Sequence, residues 1–190
     1  MSRPQFVLVA GPNGANKSTL SQSILGRFPQ VQVIDPDAIA KGITGSFATV
    51  DQEQLSAGKK TLQLVQEKID RKQSFLVEST ISGQTYLRYV DRAREAGFRT
   101  VFIYVGLSSM DLSAERVAKR VALGGHRISG ADIKRRYPRS LKNLKSFIKL
   151  FESSHIYDNS DNYKWMANFR DGTLRNISPS VPSWLKSAML

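Results

Sequence analysis

The sequence predicts an α/β doubly wound fold with a mainly parallel central sheet, in a single domain over residues 1–190. Three observations predict it. Apolar runs at 6–10, 31–34, 75–77 and 100–105 are continuous rather than alternating, as in strands buried on both faces. Stretches with helical spacing lie between these runs. The first run passes straight into the loop GPNGANKST, which opens a helical stretch.

The elements follow in order. The strand over 6–10 (FVLVA) leads through the loop to a helix over 17–28. A strand over 31–34 ends at Asp35. A helix over 53–71 carries Leu55, Leu62, Val65 and Ile69 near helical spacing. The strand over 75–77 ends at Glu78, and a helix over 85–96 stops at Gly97, a natural C-terminal cap. After the strand over 100–105, a helix over 112–123 ends at Gly124 and Gly125. Pro138 divides a basic stretch from a helix over 139–153. A weaker strand covers 156–157. WMANFRDGTLRNIS then reads as a C-terminal β-hairpin turning on Asp171–Gly172. There is no internal repeat, low-complexity linker or domain break.

Composition narrows the function classes. At 41% hydrophobic and 23% charged residues, the chain has the balance of an ordinary soluble globular protein. It has no cysteine, which excludes disulfides, thiolate metal sites and cysteine nucleophiles. No run reaches the roughly 18 apolar residues of a membrane span. The first apolar run is too short for a signal peptide, so a cytoplasmic location is expected. The net charge is +12, and it is concentrated: residues 115–149 hold eleven Lys or Arg against Glu115 and Asp132, a local net of +9. Concentrated charge points to an anionic ligand, either nucleotide phosphates or nucleic acid.

The loop fits the phosphate-binding pattern G-x-x-x-x-G-K-[ST] except at Asn16, where the pattern has glycine. Gly11, Pro12, Asn13, Gly14, Ala15, Asn16, Lys17, Ser18 and Thr19 form the expected nucleotide-binding stretch. Backbone amides at the helix start favour phosphate. Lys17 is expected to reach the β- and γ-phosphates, and Ser18 to hold Mg2+ through its hydroxyl. The glycine position commonly needs positive φ, which Asn tolerates at a cost of about 1 kcal/mol. Weakened rather than abolished ATP binding is expected, because the Asn side chain adds volume beside the phosphates.

Two acidic segments stand at strand ends, where ligands bind in open α/β sheets. In VIDPDAIA, Asp35 and Asp37 face the same way if the segment is extended; one would support the metal and the other, Asp37, would act as base toward an acceptor hydroxyl. The same residues would also serve an Asx turn that starts a helix. In FLVESTISG, Glu78 is a metal-side acid or an acceptor for a substrate hydroxyl, with Thr80 in the same loop. The basic segment reads as a closing lid over about 112–140. Arg116 and Arg120 share a helix face, and Arg127 follows the Gly124–Gly125 break beside His126.

Together GPNGANKST, VIDPDAIA, the SAG at residues 56–58, FLVESTISG, RVAKRVALGGHRIS…IKRRYPRSLKNL and YDNS resemble the zeta-toxin family of P-loop kinases, over roughly residues 5–160. The resemblance implies a P-loop kinase-like three-layer fold and a kinase using ATP and Mg2+. It implies transfer of the γ-phosphate to a hydroxyl, in better-known members of a UDP-N-acetyl sugar, and an antitoxin partner. By motif position Asp37 matches the family's general base, Glu78 and Thr80 its substrate contacts, and Arg116 and Arg127 its phosphate-clamping arginines, with Arg120 the close alternative. The chain departs from the family at Asn16 and is shorter than the larger toxins. A GTPase switch is disfavoured because no N-K-x-D motif follows the later strands. A nucleic-acid-directed P-loop protein using residues 115–149, and a nucleotide-binding protein with little catalysis, are the other readings.

Overall fold

The computed structural model describes residues 3–27, 31–36, 38–39, 50–125 and 127–189; the side chains of 27 and 50–55 are outside that description. The strands are β1 (Gln5–Ala10), β2 (Gln32–Ile34), β3 (Phe75–Ser79), β4 (Arg99–Gly106), β5 (Ser153–Asp158), β6 (Lys164–Arg170) and β7 (Thr173–Ile177). The described helices are α1 (Lys17–Arg27), α2 (Val50–Asp70), α3 (Leu87–Glu95), α4 (Met110–Ala122), α5 (Gly130–Leu150) and α6 (Ser183–Met189).

All seven strands form one sheet in the order β2-β3-β1-β4-β5-β6-β7. The first five neighbours run parallel, and β6 and β7 add antiparallel strands at one edge. This is the expected α/β architecture. The continuous apolar strands are explained by burial on both faces. Phe6, Leu8, Phe75, Val77, Phe102 and Tyr104 face one side, against Val65 and Ile69 of α2, Tyr89, Val90 and Ala93 of α3, and Leu144, Phe147 and Ile148 of α5. Val7, Val9 and Leu76 face the other, against Leu20 and Ile24 of α1. The Phe6 and Phe75 rings stack at 4.5 Å between centroids, and Phe102 stacks on Phe147 at 5.6 Å. Aromatic pairs of this kind add to the burial of apolar area.

Parallel strands bring their carboxyl ends to one edge. The phosphate loop, Asp35, Glu78, Leu107 and Asn159 follow β1, β2, β3, β4 and β5 there. The hairpin is present as expected: Arg170 pairs with Thr173, and Asp171 and Gly172 have φ of 47° and 74°, the two positive values of a type I′ turn.

The basic stretch differs from its expectation. It is one helix of 21 residues with Pro138 inside it, not a break followed by a helix over 139–153. Ser129 caps its start, accepting from the Asp132 amide at 3.0 Å. Pro138 cannot donate to the Lys134 carbonyl, but it lies exposed, where water can take that acceptor. The residues that follow start β5 at Ser153 instead of extending the helix.

Candidate active site

The phosphate loop is shaped by close packing at its glycines. A Cβ on Gly11 (φ 148°) would lie 2.1 Å from the Val105 carbonyl oxygen. One on Gly14 (φ 74°) would lie 2.9 Å from that of Ser113. Asn16 has φ 60°, so the position does require the left-handed conformation that the missing glycine suggests. That cost belongs to the folded chain itself and falls on stability.

Three side chains from distant elements hold the loop. Ser113 Oγ on α4 donates to the Asn13 carbonyl at 2.6 Å, Asn159 Nδ2 to that of Ala15 at 3.1 Å, and the Tyr163 phenol to that of Asn16. Every described peptide is trans, so each carbonyl points opposite to the next amide. Pinning these three carbonyls turns the amides of Gly14, Asn16 and Lys17 the other way, and all three residues line the cleft. The α1 dipole and its first-turn amides add to this anion site. Lys17 Nζ lies over the loop, 3.0 Å and 3.1 Å from the Gly11 and Pro12 carbonyls.

The cleft above the loop has a volume of about 350 Å³. On its β3 side, Ser18 Oγ donates to Glu78 Oε2 at 2.8 Å. Glu78 is only 7% exposed. Burial pushes its carboxyl above the ordinary value and the Asp35 charge adds to this, while the Ser18 hydrogen bond and the Lys17 charge oppose it. Asp35 and Pro36 line the cleft. The chain after Asp35 is not extended: Pro36 is already helical, and the Ile39 amide donates to the Asp35 carbonyl at 3.0 Å. Proline at the first helical position explains this. Asp37 and His126 lie outside the described residues.

The donor set suits a hard cation. A serine hydroxyl and two carboxylates supply oxygen alone, and Mg2+ takes one or two carboxylates plus phosphate oxygens rather than a protein cage. No group of three or more His, Cys, Asp or Glu converges among the described residues. In the same cleft Asn13 is 6% exposed and its Oδ1 has no partner among the described residues, a buried polar atom that a bound polar group can satisfy.

Arg116 and Arg120 of α4 and Arg136 of α5 form the opposite wall. Arg116 also braces the turn after β5, donating to the Asn159 and Ser160 carbonyls at 2.6 Å and 2.9 Å. Arg127 is exposed in the α4–α5 connection and is not among the lining residues. Ser79 and Thr80 also line the cleft. The next residue, Ile81, has φ 46°, a strained value for a β-branched side chain. It is over-determined by its surroundings: Asn143 Nδ2 on α5 donates to its carbonyl at 2.8 Å, and its amide donates to Ser79 Oγ at 3.0 Å.

Behind the loop, Asp158 organises the turn that carries Asn159 and Tyr163. Its Oδ1 accepts from Trp184 Nε1 at 2.8 Å and from Ser160 Oγ at 2.7 Å. Trp184 lies flat on Gly106, where any Cβ would fall 2.2 Å from the ring. Sequence reasoning passed over Ser113, Tyr163 and Trp184, and did not single out Arg136; only Asn159 carried a signal, as part of YDNS at a strand end.

A parallel α/β sheet with this loop between β1 and α1, and an acid at the end of the adjacent strand, defines the P-loop kinase-like class of nucleotide-binding fold. Within it the chain belongs to the AAA domain family AAA_33, whose model matches residues 6–136. It is 33% identical over 131 residues to an uncharacterized protein of Haemophilus influenzae, covering 69% of this chain and 91% of that one. In fold it is similar to a chain of the PezAT chromosomal toxin-antitoxin system of Streptococcus pneumoniae, with a TM-score of 0.65 at 16% identity over 86% of this chain and 71% of that one. It is also similar to a chain of the AvrRxo1-ORF1:-ORF2 structure with ATP, with a TM-score of 0.70 at 13% identity over 91% of this chain and 60% of that one.

Proposed function

We propose that this protein is a kinase that moves the γ-phosphoryl group of ATP to a hydroxyl of a small acceptor. The observation that carries this reading is the hydrogen-bonded Ser18–Glu78 pair lying in one cleft with the phosphate loop and three arginines. The aimed amides of Gly14, Asn16 and Lys17, with the Lys17 ammonium, bind the phosphates. Ser18 would hold Mg2+, with Glu78 and Asp35 beside it; the bound ion supplies neutralisation of charge on the β- and γ-phosphates. Arg120 and Arg136 place positive charge where the transferring group's oxygens gain negative charge. Thr80 orients the acceptor. Asp37 takes the acceptor proton as the new O–P bond forms, the β–γ bridging bond breaks and ADP leaves.

The motif resemblance and the likeness to a toxin-antitoxin chain support a toxin-type kinase. The acceptor we propose is a UDP-N-acetyl sugar, and the protein partner an antitoxin. The test is transfer of labelled phosphate from ATP to UDP-sugars, nucleosides and RNA, with Lys17→Ala and Asp37→Ala beside the wild type. Transfer to a UDP-N-acetyl sugar that both variants lose is expected. Variants equal to the wild type would place the chemistry elsewhere.

A further inference from the structure

The cleft uses few of the cations in residues 115–149, and most of the remainder lie on α5. Lys134, Arg135, Arg139, Lys142, Lys145 and Lys149 are all exposed there. At about 100° per residue they fall within an arc of about 140°, so they form one stripe along the helix. From Lys134 to Lys149 the stripe runs roughly 22 Å at 1.5 Å per residue. The helix has a single acid, Asp132, and it sits in the first turn, paired with Arg135 and Arg136.

The middle of the stripe borders a shallow, open groove. Lys142 and Lys145 flank this groove, of about 540 Å³, between α5 and α6. Its lining mixes hydroxyls, from Ser183 and Ser187 of α6 and Ser108 just after β4, with the apolar Leu141, Trp184 and Ala188. Tyr137 forms part of the groove and packs on the other side with Ala15 of the phosphate loop, so the groove lies beside the cleft without entering it.

We propose that this α5–α6 groove and its basic stripe bind a single-stranded nucleic acid through its phosphates. Exposed ammonium and guanidinium groups repeated along α5, with Lys142 and Lys145 at the groove, match a repeating phosphodiester, whose backbone supplies most of the affinity in such complexes. A membrane surface fits poorly: among the described residues the exposed large apolar side chains are Leu123, Tyr163, Trp165, Leu174 and Ile177, and none lies on α5 or α6. This binding does not depend on the kinase reading, because Lys142 and Lys145 do not line the cleft.

The test is fluorescence anisotropy with a labelled RNA strand of about 12 nucleotides. A protein of net charge +12 attracts any polyanion, so charge-matched variants decide the matter. Lys142→Glu/Lys145→Glu changes the net charge as much as Lys59→Glu/Lys60→Glu, whose lysines are exposed on α2. The groove variant is expected to bind at least about tenfold more weakly at about 150 mM salt, and the α2 variant within about twofold of wild type. For Lys142→Ala/Lys145→Ala, loss of two phosphate contacts should flatten the salt dependence by about 1.4 in the log–log slope. Thermal melts establish that each variant is folded. Equal losses in the two Glu variants, or no wild-type binding, would overturn the proposal. Displacement by polyglutamate as efficient as by unlabelled RNA would assign the groove to an acidic polypeptide and overturn it too.

Discussion

The phenol of Tyr163 donates a hydrogen bond to the carbonyl of Asn16, joining positions 147 residues apart. The bonded peptide is the one that carries the Lys17 amide. Tyr163 therefore fixes the loop plane next to the one residue that departs from the glycine pattern. Tyr163→Phe keeps the ring and removes the bond. ATP affinity by calorimetry is expected to fall roughly 2–10-fold, the range for one neutral hydrogen bond. An unchanged affinity would mean the plane is held without the phenol.

Glu78 makes stability depend on pH. Its folded carboxyl titrates above the ordinary value because burial penalises the charge. Its contribution is therefore fully present below the unfolded carboxylate range and is lost as pH rises through the folded value. Glu78→Gln never ionises. Urea midpoints of variant and wild type should agree near pH 4 and separate toward pH 7, with the variant the more stable. Transfer by the same variant should drop about 10–100-fold through loss of metal support. A variant less stable than wild type at neutral pH would show that the Ser18 bond and Lys17 outweigh burial.

Arg136 reaches the cleft wall, whereas Arg127 does not line it. Arg136→Ala should lower kcat by about 100-fold or more with a smaller change in ATP affinity, as for groups that act on transition-state charge. Arg127→Ala should stay within about threefold of the wild type on the same measure. Similar losses in both would bring Arg127 into the working site.

Asn143 has no place in the cleft, yet its amide holds the strained Ile81 carbonyl one residue beyond Thr80. Asn143→Leu should raise the acceptor KM several-fold and leave ATP affinity unchanged. It should also cost about 1–3 kcal/mol of stability in denaturant titration, because it strands a buried carbonyl. A kcat loss at constant KM would move Asn143 from acceptor positioning to another role.

The legible part of the site was written locally. Gly11, Lys17 and Ser18 lie in one short loop, and Asp35 and Glu78 close apolar runs, so spacing alone placed them at the carboxyl edge. Two of the three supports of that loop were illegible for the opposite reason, and the third, Asn159, was marked only by the YDNS motif. Ser113, Asn159 and Tyr163 meet it across 100, 144 and 147 positions, and a serine, an asparagine and a tyrosine in turns and helices carry no periodic signal. Pro138 misled because proline usually ends a helix, whereas the buried face of α5, with Ile133 before it and Leu144, Phe147 and Ile148 after it, carries the helix through. The weak apolar run at 156–157 belongs to a six-residue strand held between β6, just after it, and β4, far back in the chain.

The dependence of Ala15 and Asn16 on Asn159 and Tyr163 also sets an order of events during synthesis. A ribosome that has released residues as far as α5 has made the loop, its strand and its arginines, but neither of these two supports. Trp184, which fixes Asp158 behind them, emerges later still. The final shape of the phosphate loop is thus set late in synthesis, after four of the seven strands have been made.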